Sequence, residues 1–217
     1  MNLKNYYYYY QSALSPKLCD DIINHGKNRQ LTTAIVGEYE KILKKNGKLN
    51  KKNIKNIQKI RKSEVVWMDD GWIYKEIQPY VHDANKSAGW NFDWDWSETC
   101  QFTKYSVGQY YDWHCDVSEE PVNRPQNADG TWPPDHGKIR KLSVTVSLSD
   151  PKDYEGGELE FDYRNKSSGK KSIHKCKEIL PRGSIIVFPS HVWHRVTPVT
   201  KGTRYSLVMW NLGYPFK

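Results

Sequence analysis

The apolar positions along this chain change period once, near residue 97. Before that point they recur at helical spacing in two places. Leu18, Ile22 and Ile23 follow Ser15-Pro16, a hydroxyl cap with proline at the first helical position, and predict a helix ending near Asn28. After Asp70, the positions Trp72, Ile73, Ile77, Tyr80 and Val81 recur every three or four residues and predict a second helix, stopped by Gly89. From Glu98 onward the period is two, in short runs bounded by Gly, Pro, Asn and Asp. The runs are Thr99–Ser106, Tyr110–Asp116, Lys141–Ser149, Gly157–Tyr163, His174–Ile179, Ser184–Phe188, Trp193–Pro198 and Thr203–Leu212. Strands of this number and length suit a mainly β fold, a jelly roll with flanking N-terminal helices packed on one side. The stretch Val117–Arg140 holds four prolines and no period, and reads as one long loop.

A length of 217 residues fits one domain, with residues 1–97 as helical support and 98–214 as the β-rich core. Nine Trp and fifteen Tyr supply enough contact area to exclude a disordered chain. No run of about 18 apolar residues is present, so no membrane partner is expected. The opening MNLKNYYYYYQSALSP has tyrosines where a signal peptide needs an aliphatic stretch, which places the protein in the cytoplasm. Cys19, Cys100, Cys115 and Cys176 form no CxxC pair, which argues against a zinc ribbon and for reduced, mostly buried thiols.

The net charge of +8 changes this picture only through its distribution. Ten of the 33 basic residues lie in 41–62, interleaved with Asn and Gly rather than with aromatic residues. The segment reads as a basic, solvated loop, with a docking surface for an acidic partner as the alternative. Nucleic acid is the less expected partner, although Lys and Arg of this density would neutralise phosphates.

Chemistry concentrates in two places. His114 and Asp116 stand two apart on a strand, so both side chains project from one face and can grip one ion. Cys115 between them faces the other way. A third ligand comes from the segment His191 to Arg204. With Thr200-Lys201-Gly202 as a three-residue hairpin loop, Pro198 opposes Arg204, and His194 shares its face while His191 belongs to the preceding turn. Two histidines and one carboxylate on three corners leave three positions open, the arrangement of non-haem iron(II) oxygenases. Arg204 is suited to a dicarboxylic cosubstrate because its planar fork binds a carboxylate bidentately and stays charged. Ser143, Thr145 and Ser147 share one face of a strand that is either solvated or lines a polar pocket.

Several ordered motifs carry a resemblance. Tyr105-Ser-Val-Gly-Gln-Tyr-Tyr-Asp-Trp-His114-Cys-Asp116, Gly156-Gly-Glu-Leu159, Phe188-Pro, His194-Arg-Val-Thr-Pro-Val and Thr203-Arg-Tyr-Ser-Leu-Val-Met-Trp210 resemble the prolyl hydroxylase group of iron(II)/2-oxoglutarate dioxygenases, prolyl 4-hydroxylase or PKHD-like. Arg61-Lys-Ser-Glu-Val and Gln101 extend the match loosely towards the N-terminus. The resemblance implies a double-stranded β-helix with His114, Asp116 and His194 as iron ligands and Arg204 on the distal carboxylate of 2-oxoglutarate. Tyr105 falls on the family's pocket tyrosine, which contacts cosubstrate or substrate. It further implies 2-oxoglutarate and O2 as cosubstrates, ascorbate as a candidate accessory, and hydroxylation of a prolyl residue in a protein or peptide. The collagen-type enzymes carry lysine at the position of Arg204, so the likeness is to the bacterial and hypoxia-sensing types. Two rivals stand. A nucleic-acid demethylase of the same fold carries a second arginine where this chain has Trp210, and a non-catalytic cupin-like binding protein adds His and Glu ligands, for which Glu158 is poorly placed beside paired glycines.

Overall fold

The computed structural model describes residues 4, 6–118, 120–164 and 172–216. In chain order the elements are β1 (Tyr8–Tyr10), α1 (Pro16–Lys27), β2 (Thr32–Thr33), α2 (Gly37–Asn46), α3 (Lys51–Ile60), β3 (Arg61–Lys62), β4 (Glu64–Met68), α4 (Gly71–Ser87) and β5 (Trp96–Ser97). Then follow β6 (Cys100–Tyr105), β7 (Tyr110–His114), β8 (Ile139–Ser147), β9 (Tyr154–Gly156), β10 (Leu159–Asp162), β11 (Ile173–Lys175), β12 (Ile185–Pro189), β13 (Trp193–Val196), β14 (Val199–Gly202) and β15 (Arg204–Gly213).

The two expected helices form for the expected reasons. The Ser15 hydroxyl accepts from Leu18 N–H, Pro16 occupies the first turn, and α1 buries Cys19, Ile22, Ile23 and Gly26. Gly26 is required there: a Cβ would sit 2.6 Å from the Phe102 ring, so only glycine lets α1 close onto the sheet. Helix α4 buries Ile73, Ile77, Val81 and Ala84, one stripe of the helix. Asp70 does not cap it; its carboxylate instead holds the Arg29 guanidinium through bonds of 2.9 and 3.1 Å. No helix among the described residues is long and apolar enough to cross a membrane.

The basic segment 41–62 is not a loop. It holds the end of α2, all of α3 and the short strand β3. Its helicity escapes a periodicity argument because α3 buries one apolar side chain, Ile57. Local chemistry compensates: the Asn50 side chain caps Asn53 N–H at 2.8 Å, and the Tyr110 hydroxyl donates to the last-turn carbonyls of Gln58 and Lys59.

The strands build a jelly roll. One sheet runs β1-β12-β8-β15-β6-β4-β2, with β5 on β15; the facing sheet runs β11-β10-β13-β7-β3, and β14 pairs with β9. Residues before 98 contribute strands to both sheets, so the expected division into helical support and β core does not hold. Strand β8 is buried on both faces. Leu142, Val144, Val146 and Leu148 pack with α1 and α4 in one cluster, while Ser143, Thr145 and Ser147 turn towards the facing sheet. A second apolar cluster, including Leu159, Phe161, Ile186 and Phe188, fills one end of the space between sheets. Residues 117–118 and 120–138 form the long loop expected, tied across its base by Val122 and Gly137 backbone bonds.

One register differs from expectation. Pro198 and Arg204 are not hairpin partners: β14 pairs with β9, while Arg204 lies opposite Tyr105 on β6. Glycine at 202 is needed for a different reason than a hairpin bulge, because its φ is +69 and a Cβ would meet the Asp153 carbonyl oxygen at 1.9 Å.

Candidate metal centre

Strands β7 and β13 are antiparallel neighbours, and His114 lies opposite His194 in their register. Strand β7 ends at His114, and Asp116 follows in a turn whose backbone is fixed by Asp116 N–H and Val117 N–H donating to Ser190 carbonyl at 2.8 and 3.1 Å. The three side chains converge, with one ligand atom from each within 4.8 Å of the others. His114 Nε2 lies 3.6 Å from Asp116 Oδ1, and His194 Nε2 lies 3.6 Å from Oδ2. The opposite ring nitrogens are engaged: His114 Nδ1–H donates to Asp112 carbonyl at 2.8 Å and His194 Nδ1–H to Val192 carbonyl at 3.0 Å. A carbonyl can only accept, so each Nε2 keeps its lone pair for a metal.

Electrostatics agree. Burial, with the neighbouring His194 ring, holds His114 neutral by lowering its pKa to about 3. Burial alone would raise the Asp116 carboxyl, but the His194 and His114 rings, Arg140 and the Ser143 hydroxyl outweigh it and keep it near 2. Ser143 in turn bonds Ser190 Oγ at 2.9 Å, so one of the small hydroxyls predicted from sequence, held by a serine that was not, orients the carboxylate. The buried alternative for that strand face is the one the fold adopts. Two imidazole nitrogens and one carboxylate form a donor set for a divalent ion. His191, exposed, lies outside the cluster. Glu158 is also elsewhere, its carboxylate engaged by Lys175 and the Thr197 hydroxyl, so the extra ligand of a cupin is absent from the described cluster.

The cavity beside this triad is lined by Arg204, Tyr105, Ser206, Thr145, Arg61 and Trp210, among others. Arg204 is 2% exposed; its guanidinium faces the Tyr105 ring at 5.6 Å and bonds Ser206 Oγ at 3.3 Å, with no carboxylate in ion-pair reach among the described residues. A buried cation without a counter-ion is costly unless a ligand supplies one. Arg61, 5% exposed, repeats the situation: Nε bonds Ser63 Oγ, Nη1 bonds Gln101 Oε1, the plane lies 4.5 Å over the Tyr111 ring, and Nη2 has no partner among the described residues. Tyr111 stacks on His114 at 3.5 Å, and burial pushes its hydroxyl up to about 12. The residues named from sequence, His114, Asp116, His194, Arg204 and Tyr105, all line this one cavity. Arg61 and Arg140 had been given no role; Arg140 bonds Glu98 and covers Trp210 at 3.9 Å. A lone arginine within a run of lysines was the available signal for Arg61.

A jelly roll with a two-histidine, one-carboxylate centre and a buried unpaired arginine defines the class of non-haem iron(II) oxygenases that use a dicarboxylic cosubstrate. Residues 100–211 match the model of the 2OG-Fe(II) oxygenase superfamily, and the chain belongs to it. A PKHD-type hydroxylase of Pseudoalteromonas atlantica is 35% identical over 111 residues, 51% of this chain and 41% of the relative. The chain thus spans less than half of that relative's length. The viral collagen prolyl hydroxylase of Paramecium bursaria Chlorella virus-1, solved as a 2OG complex, has a TM-score of 0.60 at 23% identity and 96% coverage of both chains. A Trichoplax adhaerens prolyl hydroxylase, solved with a hypoxia-inducible-factor peptide, has a TM-score of 0.57 at 18% identity, covering 95% of this chain and 83% of its own.

The site fits the family's iron(II) and 2-oxoglutarate on charge as well as donors. Arg61 and Arg204 contribute two positive charges, a divalent ion two more, and Asp116 is the single carboxylate lining the cavity among the described residues, so a dianion is accommodated.

Proposed function

We propose that this protein hydroxylates a prolyl residue of a protein or peptide, using iron(II) held by His114, Asp116 and His194 and 2-oxoglutarate held by Arg204. The observation that carries the reading is the convergence of the triad with a buried arginine that lacks a counter-ion among the described residues. Iron(II) with 2-oxoglutarate and O2 supplies the oxidation of a C–H bond, coupled to conversion of the cosubstrate to succinate and carbon dioxide. The chain's own residues bind, orient and exclude. The backbone carbonyls of Asp112 and Val192 fix both imidazole planes, and Ser143 fixes the carboxylate. Arg204, with Ser206 and Tyr105 beside it, receives the distal carboxylate of the cosubstrate. Trp210 forms an apolar wall that keeps water from the oxidised position.

Polypeptide substrate is supported by the PKHD-type relative and by the two prolyl hydroxylases of the same fold, one of them bound to a peptide. The reading extends to ascorbate as an accessory and to a cytoplasmic location. The test is succinate formation by anaerobically iron-loaded protein across proline-containing peptides. Wild type should turn over, His194→Ala should not, and Arg204→Ala should recover only at high 2-oxoglutarate. Tight iron binding with no turnover on any peptide would instead indicate a non-catalytic binding protein.

A further inference from the structure

The strongest charged surface outside the metal site lies on α3. Residues 41–63 contain no Asp or Glu. Lys48, Lys51, Lys52, Lys55, Lys59 and Lys62 are all exposed. The lysines that find carboxylate partners among the described residues are Lys104, Lys138, Lys175 and Lys201, none of them in this group. At about 100° per residue, Lys51, Lys52, Lys55 and Lys59 fall within about 100° of the helix circumference, opposite the buried Ile57. The result is a single-sign stripe roughly 12 Å long, the span of about four residues of extended chain.

This stripe is built onto the catalytic wall. Tyr110, at the start of the strand that ends in His114, bonds the carbonyls of Gln58 and Lys59, and Lys62 lies over its ring at 6.0 Å. The residue after the helix, Arg61, enters the metal cavity and stacks on Tyr111. The lysine stripe therefore runs outward from the rim of the site.

We propose that α3 is a docking face for an acidic stretch of the substrate polypeptide flanking the hydroxylated position. The proposal rests on the polypeptide reading given above. An acidic peptide fits better than nucleic acid because the face has Lys, Asn and Gln but no aromatic platform on which bases stack. Repulsion among unpaired lysines, which burdens the free protein, is relieved by the acidic segment.

The experiment compares two proline peptides that differ only in four flanking residues, all Glu or all Lys, placed on either side of the proline. Binding to the iron- and 2-oxoglutarate-loaded protein is read by fluorescence anisotropy, and turnover by succinate. Wild type should bind the Glu peptide roughly tenfold more tightly at low salt, the preference collapsing near 0.5 M salt. The charge-reversed variant Lys51→Glu, Lys52→Glu, Lys55→Glu, Lys59→Glu should prefer the Lys peptide, with kcat and peptide-independent succinate formation unchanged. The milder set of four Lys→Gln changes should abolish the preference without reversing it, and serves if the reversed chain folds poorly. Equal binding of both peptides by wild type, or an unchanged preference in the variants, would overturn the proposal. So would a uridine-rich RNA oligomer displacing the Glu peptide at lower concentration than the Glu peptide itself. Succinate from neither peptide with the binding preference intact sinks the prolyl reading alone; succinate from both with equal KM sinks the docking face alone.

Discussion

Gly157 is where backbone geometry and cosubstrate binding meet. It precedes β10 with φ +62, and a Cβ there would lie 2.9 Å from Arg204 Cδ and 3.0 Å from Val199 Cγ2. In Gly157→Ala the left-handed conformation costs about 1 kcal/mol, and crowding a closely packed site costs about 1–2 kcal/mol more. For a chain of this size each kcal/mol lowers Tm by roughly 2–4 °C, so a fall of roughly 4–12 °C is expected. The contact with Cδ sets a second consequence. Arg204 must give by some tenths of an ångström at Cδ, the carbon bonded to Nε, so the guanidinium is displaced with it. Loss of one charge-assisted hydrogen bond to the cosubstrate, about 1.5–3 kcal/mol, raises KM for 2-oxoglutarate roughly 10- to 100-fold while kcat at saturation stays within about threefold. Succinate formation against 2-oxoglutarate concentration, with Tm in parallel, measures both. Gly156→Ala is the control: its Cβ would meet the Pro198 carbonyl oxygen at 2.3 Å, backbone that cannot swing aside, so Tm should fall further and KM less. A Gly157→Ala protein that loses stability yet keeps its KM would refute the coupling to Arg204.

Two further outcomes follow from the same geometry. Ser143→Ala removes the hydroxyl that joins Asp116 to Ser190, and iron affinity measured by chelator competition should fall roughly 10- to 100-fold; unchanged affinity would mean that the carboxylate is positioned by its backbone alone. In the metal-free protein, the neutral His114 has its pKa lowered from 6.5 to about 3, so the unfolded chain takes up a proton first as pH falls. Stability from this group is therefore full above about pH 6.5 and drains towards pH 3, by about 2 kcal/mol at pH 5, and His114→Gln should flatten the Tm difference between pH 7.5 and pH 5 in EDTA.

Local sequence was enough for features that depend on neighbours along the chain. The Ser15-Pro16 start of α1, the stripe Ile73, Ile77, Val81 of α4 and the alternation in β8 are each written in fewer than about ten residues, and each forms as expected. The metal ligands were legible because two sit one residue apart and the third follows an ordered set of motifs. The same reasoning failed on α3, whose one buried isoleucine carries no period and whose support comes from Tyr110 on a distant strand.

What tertiary structure alone decided is which strands meet. The face shared by His194 and Arg204 was reached by assuming a hairpin that does not exist; the two converge because β13 pairs with β7 in one sheet and β15 with β6 in the other. Local periodicity tells which side of a strand is apolar, but it is indifferent to the partner across the gap, since any buried face of similar size would satisfy it. For that reason the unpaired Arg61, delivered to the cavity by the short strand β3, and the Arg140 cover on Trp210 became visible only once the sheets were assembled. Sequence determined the chemistry available to this protein, and long-range packing determined which of its arginines and serines surround it.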